Sequence, residues 1–358
     1  MTRKIFPHIL VIVIAGLASF TLACGSGSNS HTQPPQPPDV YVAGYEVTDS
    51  NLDVAKYWKN GTPVVLGGGT YGSWATSIFV SGNDVYVAGR EGSANRDIAK
   101  YWKNGVAVPL TDGTTGDGYA SSIFVEGNDV YVAGTESLAS GIPVYWKNGV
   151  AVPLTDGTNG AFAWSIFVAG GDVYVAGYEY KTTQTGPNQY VTNPVAKYWK
   201  NGVPTELNDG LTLGIAYSIF LSGTDVYVAG DLCATISAGC DQATYWKNGT
   251  PVVLTTQTQT VAASIFASGA DVYVAGNDGH TGANVAEFWK DGNLTPLVTG
   301  SALSAANQVV VAGIDVYVGG ANTDGSAETA GYWKNGVFTP VGDGTHFATG
   351  FAITVVTH

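Results

Sequence analysis

One hexamer constrains this chain more than any other feature. Asp-Val-Tyr-Val-Ala-Gly starts at Asp39, Asp84, Asp129, Asp172, Asp225 and Asp271, and a variant, Asp-Val-Tyr-Val-Gly-Gly, starts at Asp315. An aromatic pair follows each copy: Tyr57-Trp58, Tyr101-Trp102, Tyr145-Trp146, Tyr198-Trp199, Tyr245-Trp246, Phe288-Trp289 and Tyr332-Trp333. Asp39 to Asp315 is 276 residues over six intervals, a mean period of 46. Units of this length built from strand-forming residues bury their apolar faces only against their neighbours, as in a propeller or a solenoid.

Each unit divides into four strands. In the second, SIFV from Ser77 precedes the turn residues Gly82-Asn83, DVYVAG runs back, and a variable loop leads to AKYW. Asn104-Gly105 then sets a tight hairpin, because a type I′ turn needs positive φ at both central positions. AVPL forms the fourth strand. SIFV and VYVA carry too many apolar residues for a sheet with one wet face, so they are expected to be buried on both sides. The 48 glycines and a charged fraction of 12% suit many short strands and argue against a helical protein.

The ends of the repeat region distinguish the two architectures. Asp39 opens it with a second-strand sequence whose first strand is missing, and the chain finishes with FAITVVTH, a first strand with no partner after it. Joining the two completes seven four-stranded blades and leaves no open edge. The sequence therefore predicts an all-β, seven-bladed β-propeller of four-stranded antiparallel blades over residues 39–358. Its C-terminal strand joins the N-terminal blade. The DVYVAG, YWKNG and SIFVSGN units resemble a repeat of secreted bacterial β-propeller proteins. The layout is also similar to WD-repeat and kelch proteins, although the Trp-Asp and double-glycine signatures are absent. That resemblance implies a fold and brings no activity with it.

The first 24 residues have a different character. Arg3 and Lys4 precede the apolar run IFPHILVIVIAGLASF, and Leu22-Ala23-Cys24 follows. Length and flanks predict a secretion signal over 1–23 and not a retained span. The ending resembles the lipobox of bacterial lipoproteins, which implies lipidation of Cys24. With no Asp after the cysteine, the resemblance implies outer-membrane over inner-membrane retention; an ordinary secretory signal is the alternative. Residues 24–38 hold that cysteine and GSGSNSHTQPPQPP, a Gly/Ser- then Pro-rich tether that cannot bury enough surface to fold. Without the signal the chain has 13 basic and 28 acidic side chains, a formal charge of −15. Such a surface repels phosphate backbones, so no nucleic-acid partner is expected. The membrane is met through the lipid alone, and a monomer is expected.

Cys233 and Cys240 are predicted to form a local disulfide in an oxidising compartment, with free thiols as the alternative. No His or further Cys lies near them in sequence, so a metal site is not expected there. His31, His280, His346 and His358 show no acid/base or metal spacing, and the TDGT runs at Thr111 and Thr155 resemble Asx turns without a calcium-ligand ladder. No cofactor is expected.

Strand direction assigns tight turns to one face of the ring and long, variable loops to the other, where function is free to arise. The sevenfold Trp reads as packing between blades, and the repeated Asp and Lys as cross-strand pairs. The repeats disagree at the entrance to the first strand. Four residues before the Ile of SIF stand Trp74, Tyr119 and Phe162; two before it stand Trp164, Tyr217 and Phe351. Alternation puts both sets on one side of the strand, near the channel mouth. These six are the candidate ligand contacts, against the alternative of packing at the top of the wedge.

The expected function is a non-catalytic binding or interaction module of the cell envelope, holding a glycan or protein ligand on the loop face. A polysaccharide-acting hydrolase or lyase is the alternative, with Asp117, Glu136, Glu179 and Asp231 as carboxylates that could pair. A purely structural envelope protein is the third reading.

Overall fold

The computed structural model describes residues 36–358, except 115, 137–140, 234–241, 281–283, 298–302 and 324–326. Within them lie seven four-stranded antiparallel sheets and no helix. Each sheet is one blade, with its strands in chain order from the channel outward. Blade 1 is the exception: its innermost strand is the C-terminal Ala348–Val356, paired with Asp39–Val47 in the register Val40↔Val355 and Val42↔Ile353. The protein is a seven-bladed β-propeller closed by that pairing, which leaves only the short outermost strand of each blade as a free edge.

The hairpin between third and fourth strands has the predicted turn. Asn104 has φ 51° and Gly105 φ 81°, and the same pair recurs in every blade, with Asp291 replacing Asn in blade 6. The asparagine also organises the next strand over. Its Oδ1 accepts the backbone N–H of Val85 at 2.9 Å, and its amide donates to Asp84 Oδ1 at 2.8 Å. Lys103 Nζ lies 2.8 Å from the other Asp84 oxygen and 5.1 Å above the Tyr86 ring. The first Asp of DVYVAG and the Lys of YWKNG thus form one clamp, repeated in all seven blades.

The seven repeat tryptophans are at most 1% exposed. Trp102 fills the wedge between blades 1 and 2 beside Ala43, Ala55, Ile78 and Val87. Trp58 fills the closing wedge beside Tyr317, Ala330 and Ile353. Nε1 of Trp146, Trp199, Trp289 and Trp333 finds no hydrogen-bond partner among the described residues. An unpaired buried donor is unfavourable by about 1–3 kcal/mol, so these rings are retained for volume. The phenylalanines of SIF in blades 2 to 6 meet ring to ring around the inner strands: Phe79, Phe124, Phe167, Phe220 and Phe266, with centroids 4.5–5.1 Å apart.

One device was not visible in the sequence. Every innermost strand is bulged two residues before its central Ile or Val, as at Thr76 between Ala75↔Gly89 and Ser77↔Ala88. The glycine of DVYVAG is required by it: a Cβ on Gly89 would stand 2.0 Å from the Trp74 carbonyl oxygen, and its counterparts in the other six blades meet the same obstacle.

Candidate ligand-binding face

The bulge re-aims one side chain per blade at the start of the innermost strand, on the loop face. In blade 2 that residue bonds across the wedge: the Thr76 hydroxyl donates to the Ala120 carbonyl at 2.7 Å. In blade 7 Asn307 Nδ2 donates to the Gly350 carbonyl at 2.8 Å. In blades 4, 5 and 1 the bulged residue is Trp164, Tyr217 or Phe351. Five blades thus use this position either to bridge the next blade or to present a ring, whereas blades 3 and 6 place Ser121 and Ala263 there.

The six candidate rings separate into three groups. Trp74 and Tyr119 hold the guanidinium of Arg90 between them, 4.4 Å from each ring centroid, and Arg90 Nε lies 3.2 Å from Asp97 Oδ2. These two rings already have a cation–π partner and close the top of the wedge between blades 2 and 3. Phe351 lies 5.8 Å from Tyr45, which also contacts Phe347 at 6.2 Å. Phe162, Trp164 and Tyr217 belong to a longer run. Trp164 stacks on Phe162 at 6.2 Å and tilts against Tyr217 at 6.1 Å; Phe162 stacks on Tyr178 at 5.3 Å, and Tyr178 meets Tyr180 edge-on at 5.6 Å. The Tyr217 hydroxyl donates to Asp231 Oδ2 at 3.0 Å.

Tyr180 stands where blade 4 leaves the ring. Its second and third strands, Asp172–Gly186 and Gln189–Lys200, continue past the other blades as a hairpin arm that turns at Asn188. Asn193 anchors the arm through its amide to the Gly210 carbonyl at 3.0 Å, and Lys181 pairs with Glu206 at 2.8 Å. The arm carries neutral polar side chains, Thr182, Thr183, Gln184, Gln189 and Thr192, with Tyr190 near its tip.

Among the described residues five aromatic side chains are well exposed: Tyr71, Trp164, Tyr180, Tyr190 and Phe347. All five lie on the loop face or its arm, and Trp164 is the one candidate ring that is 40% exposed. The sequence reading missed Tyr71, Tyr180, Tyr190 and Phe347 because they sit in segments without a repeat counterpart.

The four carboxylates considered for catalysis lie in different surroundings. Glu179 pairs with Lys197 at 2.7 Å, and Asp117 accepts the backbone N–H of Asp97 at 2.9 Å. Asp231 receives Tyr217, and Glu136 ends its strand opposite Ile142. TDGT forms the expected Asx turn: Asp112 Oδ1 accepts the Thr114 N–H at 2.9 Å and its hydroxyl at 2.7 Å. His358 approaches Asp39 at 3.5 Å, and His280 binds Asp278.

Among the described residues one set of metal-type donors converges within 4.8 Å, Glu46, Asp343 and His346. Lys56 Nζ already lies 2.7 Å from Glu46, and the two imidazole nitrogens meet Asp49 and Thr345 at 2.9 Å, so these side chains are engaged with one another. Cys233 is buried and disulfide-bonded. Cys240, Cys24 and His31 lie outside the described residues.

No protein-family model and no curated protein matches this sequence. By fold, the chain is similar to the β-propeller domain of the Trilobed protease from Pyrococcus furiosus, at 10% identity and a TM-score of 0.52 over 87% of this chain and 98% of that one. It is also similar to the tricorn protease, at 8% identity and a TM-score of 0.50 over 89% of this chain, and spans 36% of that protein's length. At such identities the likeness is one of fold alone. The Trilobed protease propeller has an open velcro topology, whereas here the first and last strands are hydrogen-bonded in one blade.

Proposed function

We propose that the protein is a non-catalytic binding module of the cell envelope, whose loop face holds a neutral glycan. Export follows the signal over 1–23, Cys24 carries the lipid, and residues 25–38 hold the propeller off the membrane. The observation that carries this reading is the placement of every well-exposed aromatic ring among the described residues on one face, centred on Trp164 and the blade 4 arm. Exposed rings among neutral hydroxyl and amide groups match the C–H faces and hydroxyls of pyranose sugars. A formal charge of −15 disfavours acidic polysaccharides.

The test is affinity electrophoresis in gels containing neutral polysaccharides, with a glycan array to find the ligand. Trp164→Ala should lose retardation while keeping its melting temperature. Trp74→Ala should bind normally and melt lower, because Trp74 is committed to Arg90. Absence of binding to any neutral glycan overturns the glycan assignment, and release of shortened products would make the protein an enzyme. Mass spectrometry of the mature N-terminus tests the anchor, since an unmodified Cys24 is incompatible with it.

A further inference from the structure

Beside the Asp-Lys clamp the blades carry a second ion pair, nearer the loop face. In blade 1, Lys56 stands opposite Gly44, and Glu46, two residues on, receives its ammonium at 2.7 Å. Blade 4 repeats this with Lys197 and Glu179 at 2.7 Å, and blade 2 with Lys100 and Glu91. In each case a lysine sets the opposite charge directly beside a part-buried carboxylate.

Blade 6 reverses the sign of one partner. Glu287 takes the lysine position opposite Gly276, and Asp278 takes the acid position two residues on. Glu287 is 7% exposed and Asp278 8% exposed. Glu287 makes no hydrogen bond or ion pair among the described residues. Asp278 is held by His280, whose Nδ1 lies 2.8 Å and whose backbone N–H lies 2.9 Å from the carboxylate. Burial, with Asp278 next, raises the Glu287 pKa to about 7, and His280 opposes them.

Apart from His280 at Asp278, the described residues of the surrounding strands offer no compensating charge beside Glu287. The fourth strand, Asn293–Pro296, and the innermost strand of blade 7, Ser304–Ala312, carry no titratable side chain. On the second strand Asp271 and Tyr273 stand at the far end, with Lys290.

We propose that Glu287 is a proton-operated switch: protonated, it sits neutral beside Asp278, and on losing its proton it sets a second buried carboxylate charge against Asp278 and loosens the blade 6 edge of the loop face. The switch is independent of any ligand on that face. Protonation also frees the Glu287 hydroxyl to donate a hydrogen bond, where the ionised form only accepts.

The experiment follows thermal unfolding of the mature protein from about pH 5 to about pH 9, either side of the titration of such a buried acid. Glu287→Gln, neutral at every pH, should match the wild type at the acid end and melt several degrees above it at the alkaline end. Glu287→Lys restores the pairing of blades 1, 2 and 4 and should also hold its melting temperature through the alkaline range. Melting curves of wild type and Glu287→Gln that run parallel across the whole range would overturn the proposal. So would a wild type whose alkaline loss is abolished by millimolar Ca2+, because the pair would then be a metal site.

Discussion

The hydroxyl of Ser77 accepts the backbone N–H of Ile123, 46 residues later in the next blade, at 3.2 Å. The serine of each SIF repeats this bond: Ser122 to Ile166, Ser165 to Ile219, Ser218 to Ile265 and Ser264 to Val309, at 3.1–3.3 Å. In blade 7 Gln308 Oε1 takes the N–H of Ile353 at 2.8 Å. Six of the seven blade junctions are thereby stitched at the inner strand, beside the apolar wedge.

The seventh junction joins blades 1 and 2, where the equivalent residue is Ala352 and offers no acceptor to Ile78. Ala352→Ser is expected to complete the ring and add about 0.5–1.5 kcal/mol, the net gain of one intramolecular hydrogen bond. Ser264→Ala should cost about 1–3 kcal/mol by leaving a buried N–H unpaired. Urea unfolding, read at the midpoint with unchanged slope, checks both.

Trp102→Ala should cost about 3–5 kcal/mol, as for other fully buried large aromatics. The ring is 1% exposed and touches both blades of its wedge. Neutral-glycan binding per folded molecule should be unchanged. A variant of normal stability that no longer binds would return the repeat tryptophans to the ligand site.

Architecture was legible because repetition averages out local ambiguity. Six Asn-Gly turns and one Asp-Gly gave strand direction, and a unit lacking its first strand at one end with a lone first strand at the other implied the closure now seen between Asp39–Val47 and Ala348–Val356. The site was legible only as a set of rings. Spacing aligned Trp164 with Thr76, but a bulge leaves no mark in hydrophobic alternation, so nothing showed that their shared position is re-aimed. The occupation of Trp74 and Tyr119 by Arg90 is a contact between blades, beyond the reach of spacing within one repeat. The Glu287 exchange was present in the aligned units, where Lys56, Lys100 and Lys197 hold the same place. It gains meaning only once the diagonal acid is known to lie beside it.

Gly89→Ala should prevent normal folding of blade 2, since the added carbon would lie 2.0 Å from the Trp74 carbonyl oxygen and 2.9 Å from the Trp102 ring. Relief requires undoing the bulge and re-registering the strand. Gly61→Ala, in open space but at φ 79°, should lose only the modest stability of a strained turn. Circular dichroism melts of the two variants separate close packing from backbone strain.

Asp291→Asn is expected to stabilise blade 6. Elsewhere the hairpin asparagine donates its amide to the strand-opening Asp, at 2.7–2.9 Å in blades 1 to 5 and 7. In blade 6 Asp291 Oδ1 still accepts the Val272 N–H at 2.8 Å, but a carboxylate cannot donate to Asp271. The melting temperature at neutral pH should rise, as thermal unfolding of the two proteins side by side will show.

The clamps also define the acid limit of the fold. Lys103, and then Asn104, hold Asp84 below its ordinary carboxylate pKa, and the six equivalent Asp residues shift the same way. A carboxyl whose pKa is lower folded than unfolded contributes stability that is present above the unfolded value and lost as pH falls through the folded one. The seven clamps should therefore hold down to about pH 4 and fail together below it. Glu287 works in the opposite sense: its folded pKa of about 7 lies above the ordinary Glu value, so its contribution is complete below the unfolded pKa and is lost as pH rises towards 7. Glu328, raised by burial, adds to that limb. Melting temperature should accordingly peak between the two limbs, on the acid side of neutrality. High salt should weaken the acid limb, because the clamps are exposed, and leave the alkaline loss at buried Glu287 largely intact. A profile that climbs continuously from about pH 4 to about pH 9 would contradict the Glu287 assignment, and one that stays level as pH falls below about 4 would contradict the clamps.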